Sequence, residues 1–130
     1  MNDDALSFLI HLHPYDTLPE GALREMIART RWIDVPKGAA VYSFGETLDG
    51  LYIIAEGRIS VRDESGAEIS QLQRENSFGE RGLLRDGRAV TSARALEDSR
   101  LICLPADLFH ALRKVHEPFR KFFDRSRSDT

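Results

Sequence analysis

The sequence predicts a mainly β domain flanked by helices, a small antiparallel sandwich or barrel set between two helical ends. Three observations predict it. Between Thr30 and Pro105, short strand-like runs alternate with turn signals at a spacing of about 8 to 12 residues, the rhythm of small all-β folds. Before and after that stretch, apolar residues recur at three- and four-residue steps, which is the helical period. No connection inside it is long enough for a helical crossover, so neighbouring strands must run antiparallel.

The elements follow in order. Residues 3 to 12 predict a helix with Leu6, Leu9 and Ile10 on one face and acids at its start. Pro14 and the Tyr15-Asp16 pair end it. Thr17 to Glu20 has the T-x-x-E spacing of a capping box, with Thr17 as N-cap of a helix that turns Leu23, Met26 and Ile27 inward. This helical lead-in covers residues 3–29. Turns are expected at Pro36-Lys37-Gly38, Gly45, Asp49-Gly50, Glu56-Gly57, Ser65-Gly66 and Asp86-Gly87. Strands fall between them, across residues 30–105. Arg58 to Arg62 alternates strictly, with Ile59 and Val61 on one face and polar residues on the other.

After Pro105 the helical period returns through Leu108, Leu112, Val115, Phe119 and Phe122. Pro118 must interrupt it, so one helix is expected from about Ala106 to Val115 and a second from Glu117 to residue 124. The stripe is read as packing on the chain's own β domain, with pairing to another chain as the alternative. Asp124 to Thr130 is polar and Ser-rich and reads as a frayed end or a linker.

Composition removes several function classes. A chain of 130 residues, 42% hydrophobic and 30% charged, fits one globular domain spanning residues 1–130. A net charge of -3 argues against a nucleic-acid surface, because Arg81, Arg85, Arg88, Arg94 and Arg100 are interleaved with acids. No apolar run approaches the roughly 20 residues that span a bilayer, so no membrane segment is expected. Asn2-Asp3-Asp4 has the wrong charge for a signal peptide, and Cys103 lies in an apolar run as a buried, reduced thiol; the expected location is the cytoplasm. His11 and His13 precede any strand and His110 and His116 follow the last one, so no metal box and no bound cofactor is expected. With no nucleophile, base and orienter in view, the chain is not expected to be an enzyme.

One stretch interrupts the strands: Ser77-Phe78-Gly79-Glu80-Arg81-Gly82-Leu83-Leu84-Arg85-Asp86-Gly87-Arg88. A short helix from about Gly79 to Leu84 would leave its first amides free to meet an anion. Gly79 allows close backbone approach to a ligand, Glu80 is a candidate acceptor for sugar hydroxyls, and an arginine nearby is a candidate grip for phosphate. The structural alternative is that Ser77-x-x-Glu80 is only a capping box and residues 85–88 a solvated turn.

The order Pro36-Lys37-Gly38, Gly45-Glu46, Leu51-Tyr52-Ile53-Ile54, Glu56-Gly57-Arg58-Ile59, Gly66 and Phe78-Gly79-Glu80 resembles the cyclic nucleotide-binding domain family of catabolite activators and protein kinase A regulatory subunits. The resemblance implies an eight-stranded antiparallel β-roll, jelly-roll-like, with N- and C-terminal α-helices and a phosphate-binding cassette at residues 77–95. Gly79 and Glu80, preceded by Phe78 as a further candidate ligand contact, match its Gly-Glu pair, whose Glu holds the ribose 2′-hydroxyl. The family's phosphate arginine falls, without gaps, on Ala89, with Val90 and Thr91 following; a bulge would instead recover Arg88. Glu75 stands where the family usually has glycine. Arg81 and Arg85 are expected to face solvent. The implied ligand is cyclic AMP or cyclic GMP, and the implied partner a second copy or an output domain. The ends also look similar to bacterial proteins in which such a module precedes CBS and nucleotidyltransferase-like domains. The function expected is a regulatory sensor that signals through its C-terminal helices. The alternative is a degenerate fold that binds no nucleotide tightly and serves as a docking module.

Overall fold

Eight antiparallel strands pair into two four-stranded sheets in the computed structural model, which describes residues 2–129, with side chains for residues 4–125. Asp3 and the polar tail beyond Arg125 therefore lie outside the described side chains. The strands are β1 (Arg31–Val35), β2 (Ala40–Tyr42), β3 (Gly50–Glu56), β4 (Arg58–Arg62), β5 (Glu68–Gln73), β6 (Ser77–Phe78), β7 (Ser92–Ala95) and β8 (Ser99–Pro105). One sheet runs β1-β8-β3-β6 and the other β2-β7-β4-β5. They share one apolar core, with Ile53 and Leu101 from the first sheet and Tyr42, Ile59 and Ala95 from the second. The expected β-roll is present, built as two open sheets rather than a closed barrel.

The first sheet is covered on both sides. That is why Leu51 to Ala55 and Leu101 to Leu104 read as unbroken apolar runs and are buried throughout. Each such side chain contributes about 1.5–3 kcal/mol on leaving water. The covering comes from helices α1 (Asn2–Leu9), α2 (Glu20–Arg29) and α4 (Ala106–Val115), of which α4 packs on β3 and β8 and α2 on β8. Arg29 donates two hydrogen bonds to the Asp107 carboxylate, at 2.8 and 3.0 Å, and ties α2 to α4. The Arg100 guanidinium lies 4.2 Å over the Trp32 ring and joins β8 to β1. The second sheet is more open, and every residue of β5 except the half-buried Leu72 is exposed.

Several expectations are corrected. Thr17 does not cap α2: its hydroxyl donates to the Pro14 carbonyl in a 3-10 turn, Tyr15–Thr17, and the helix begins after Pro19 with no side-chain cap. Pro19 forces Leu18 into extended backbone and so displaces the helix start. Gly50 opens β3 instead of forming a turn. Ser60 is fully buried with its flanking apolar residues, because the Glu68 carboxylate accepts its hydroxyl proton across the β4–β5 pair.

The C-terminal break is where Pro118 predicts it, with α5 at Glu117–Asp129. The helix outruns its expected end at residue 124, since Phe119 to Thr130 contains neither Gly nor Pro to stop it. The inward faces are also turned slightly from the expected stripe. Phe109 joins Leu108 and Leu112, which moves the buried arc of α4 and leaves Val115 72% exposed at its edge. In α5 the buried pair is Phe119 and Phe123, four residues apart, and Phe122 sits half-buried at the rim. Rings of Tyr15, Phe109, Phe119 and Phe123 meet at centroid distances of 4.9 to 6.1 Å, the offset and edge-on range that aromatic pairs prefer. Most of the stripe thus packs within this chain.

Candidate ligand-binding cavity

A cavity of about 480 Å³, a size typical of small-molecule sites, opens beside the segment that interrupts the strands. Its floor begins with β6, from which Phe78 stacks on Tyr52 at 5.4 Å and packs near Tyr42 at 6.0 Å. Gly79 follows with φ +97°, a left-handed conformation that few residues other than glycine accept, and turns the chain into α3 (Glu80–Leu83). Ser77 lies in β6 and makes no cap, so the capping-box reading of Ser77 and Glu80 is set aside. Glu80 is 6% exposed in the cavity wall.

The second half of the segment is held by a short ladder. Arg88 bridges Thr47, the Ala89 N–H donates to the Glu46 carbonyl at 2.8 Å, and the Ala89 carbonyl accepts from the Gly45 N–H at 2.8 Å. Alternation along this extended piece turns neighbouring side chains to opposite sides. Ala89 is 4% exposed and lines the cavity, whereas Arg88 is exposed and does not. Val90 and Thr91 complete this wall. Of the seven residues singled out in the sequence, Phe78, Gly79, Glu80, Ala89, Val90 and Thr91 meet around one space, and Arg88 stays outside.

Other residues arrive from segments that motif reasoning left aside. Val61, Ile69 and Leu72 come from β4 and β5, giving an apolar wall. His13 and Tyr15 come from the helical lead-in and Phe122 from α5; the His13 and Phe122 rings meet edge-on at 5.5 Å. Tyr15 is 2% exposed, its hydroxyl has no hydrogen-bond partner among the described residues, and its ring meets Phe119 edge-on at 5.9 Å. Burial pushes its phenol far above the ordinary range, and the Glu80 charge adds to the shift. Tyr42 is pushed up to about 12 by burial, against a lowering hydrogen bond with Thr91 and with a further rise from Glu80.

Arg81 also lines the cavity and is half-buried, contrary to the expectation that it faces solvent; Arg85 is exposed as expected. No periodic signal marks Arg81, because a single helical turn has no repeating face. Glu75 lines the cavity with φ +78°, and its N–H donates to the Ile54 carbonyl at 2.8 Å. The backbone there has the left-handed form that glycine adopts at least cost, which explains why a glycine suits this position. Among the described residues no cluster of His, Cys, Asp or Glu could hold a metal ion, and no helix is long and apolar enough to cross a membrane. Cys103 is free and buried; burial raises its thiol pKa, with Arg31 opposing.

Fold and cavity together define a β-roll module with a helical cassette let into it. The family model of the cyclic nucleotide-binding domain matches residues 32–116, and the chain belongs to that family, whose members are regulatory rather than catalytic modules. Among curated proteins, the chain is 28% identical over 89 residues to the lysophospholipase NTE1 of Phaeosphaeria nodorum, a match covering 65% of this chain and 6% of that protein. Only a small part of that relative's length is therefore spanned. Among solved structures, the sensor domain of the transcriptional regulator DNR from Pseudomonas aeruginosa is similar with a TM-score of 0.84 and 20% identity, covering 98% of this chain and 89% of that one. The regulatory domain of Toxoplasma gondii protein kinase A with cAMP gives a TM-score of 0.86 at 19% identity, covering 99% of this chain and 50% of that one. These likenesses establish the fold.

Proposed function

We propose that this chain is a regulatory sensor that binds cyclic AMP or cyclic GMP in the cavity and passes occupancy to its C-terminal helices. One observation carries the reading: the cassette residues Phe78 to Glu80 and the α5 residue Phe122 line the same cavity. A ligand there touches the binding segment and the transmitting helix at once. Glu80 accepts the ribose hydroxyls, the apolar side chains of β4 and β5 take the base, and Gly79 lets the backbone come close. Family membership and the cAMP held by the Toxoplasma neighbour support the ligand class. The receiver of the signal is a second copy or an output domain, and the setting is the cytoplasm.

A second reading is favoured by Ala89, whose methyl group stands in the wall at the position expected for a phosphate-gripping arginine. In that reading the fold persists as a docking module without tight nucleotide binding. Titration calorimetry separates the two. The sensor reading expects saturable heat with cyclic AMP or cyclic GMP, and Glu80→Gln lowers the affinity by roughly 10- to 150-fold, the worth of one charge-assisted hydrogen bond. No heat at millimolar concentrations of either nucleotide returns the docking module.

A further inference from the structure

We propose that Arg81 holds the anionic group of the ligand, taking over from the cassette helix the charge that the family places at the position of Ala89. The inference rests on the cyclic-nucleotide reading of the cavity and adds which residue meets the phosphate. The ladder between residues 45–47 and 88–89 leaves no freedom at the expected position: Ala89 is fixed in the wall and Arg88 outside it. A cyclic phosphate taken out of water needs a compensating cation, because an unpaired buried charge is costly.

The charged and titrating lining offers few choices. Glu75 and Glu80 supply two carboxylates, His13 one imidazole and Arg81 the one guanidinium. His13 is engaged with Asp16 at 3.0 Å. Arg81 is half-buried and takes part in no ion pair or side-chain hydrogen bond among the described residues, whereas Arg29, Arg31, Arg74 and Arg113 each face a carboxylate. Its backbone is well fixed. Gly82, the next residue, sits so close to the Arg88 carbonyl and the Leu48 side chain that a β-carbon there would collide with both. The Leu83 and Leu84 N–H groups bond the Gly79 and Glu80 carbonyls at 3.2 and 2.9 Å and close the turn around Arg81. A guanidinium on so rigid a mount suits a planar, two-point grip on phosphate oxygens. Without it, the lining presents the carboxylates of Glu75 and Glu80 and no guanidinium to meet an anion.

Calorimetry with cyclic AMP, cyclic GMP, adenosine and guanosine tests this on the full chain. Arg81→Gln weakens the better cyclic nucleotide by roughly 10- to 150-fold and leaves its nucleoside within twofold. Arg88→Gln leaves both within twofold, and Ala89→Arg added to Arg81→Gln restores the cyclic nucleotide. Unchanged thermal unfolding of each variant keeps the comparison free of folding effects. If Arg81→Gln changes nothing, or weakens nucleoside and cyclic nucleotide alike, Arg81 is not the phosphate ligand and the sensor reading stands. If the wild-type chain binds nucleosides as tightly as cyclic nucleotides, the phosphate is not held at all and the inference fails alone. Absence of heat with all four compounds overturns both readings.

Discussion

The sheet of β1, β8, β3 and β6 and the sheet of β2, β7, β4 and β5 have equal strand numbers and differ in what covers them. Helices close the outer face of the first, and its central strands are buried through Gly50 to Ala55 and Leu101 to Leu104. The second leaves β5 almost wholly exposed, and side chains of its β4 and β5 border the cavity. The doubly covered sheet carries most of the apolar burial, while the open one gives up burial and gains room for a ligand. Stability and recognition are thus placed on different walls of one small core, with the cassette between them.

Paired truncations would break that comparison most directly. Ile53→Ala in β3, fully buried, should cost about 2–5 kcal/mol in denaturant unfolding. Ile69→Ala in β5, 55% exposed, should stay within about 0.5 kcal/mol. Equal losses would mean that the sheets share the load. Glu75 stands at the crossing from β5 to β6, between the sheets, and its left-handed backbone costs about 1–2 kcal/mol, offset in part by the chain entropy that glycine brings. Glu75→Gly should therefore raise stability by roughly 0.5–1 kcal/mol; a drop would show that its side chain holds the crossing.

Alkaline titration sharpens the comparison from both sides. Each sheet carries a buried tyrosine, Tyr52 in the first and Tyr42 in the second, and burial raises both phenols. Because the folded pKa lies above the unfolded one, the stabilisation is complete below pH 10.0 and is lost as pH rises toward 12 for Tyr42. Phenolate absorbance should thus appear together with unfolding, and ionisation of a still-folded chain near pH 10 would contradict the burial. The smallest effect is expected at Asp107, exposed on α4, whose carboxyl is held low first by its hydrogen bond from Arg29. Its contribution is present above the ordinary carboxylate range and fades as pH falls through the lowered value. Asp107→Asn should flatten the acid limb only slightly, and a large loss would show that α4 depends on that pair.

Much of this was readable in advance, for local reasons. Pro118 dictates the break between α4 and α5, and the short punctuated runs dictate antiparallel strands. Phe78-Gly79-Glu80 announces the cassette because its backbone demands glycine at one point. The outward turn of Arg88 was legible only in the gap-free alignment, since one step along a strand reverses a side chain. What stayed hidden depends on contacts between distant segments. Val115 is exposed because Phe109 rotates the buried face, and Thr17 is diverted by the proline pair around it. Arg81 faces the cavity because Gly82 docks on Leu48 and the Arg88 carbonyl, contacts that no local spacing encodes.

The Trp32–Arg100 stack has a practical corollary. The chain carries one tryptophan, and it sits in β1, outside the cavity lining. Its emission under the stacked guanidinium should report the melting of the helix-covered sheet and stay silent while the cavity fills. A nucleotide carrying its own fluorophore could then be followed in the same cuvette, so that occupancy and integrity are read on two separate optical channels.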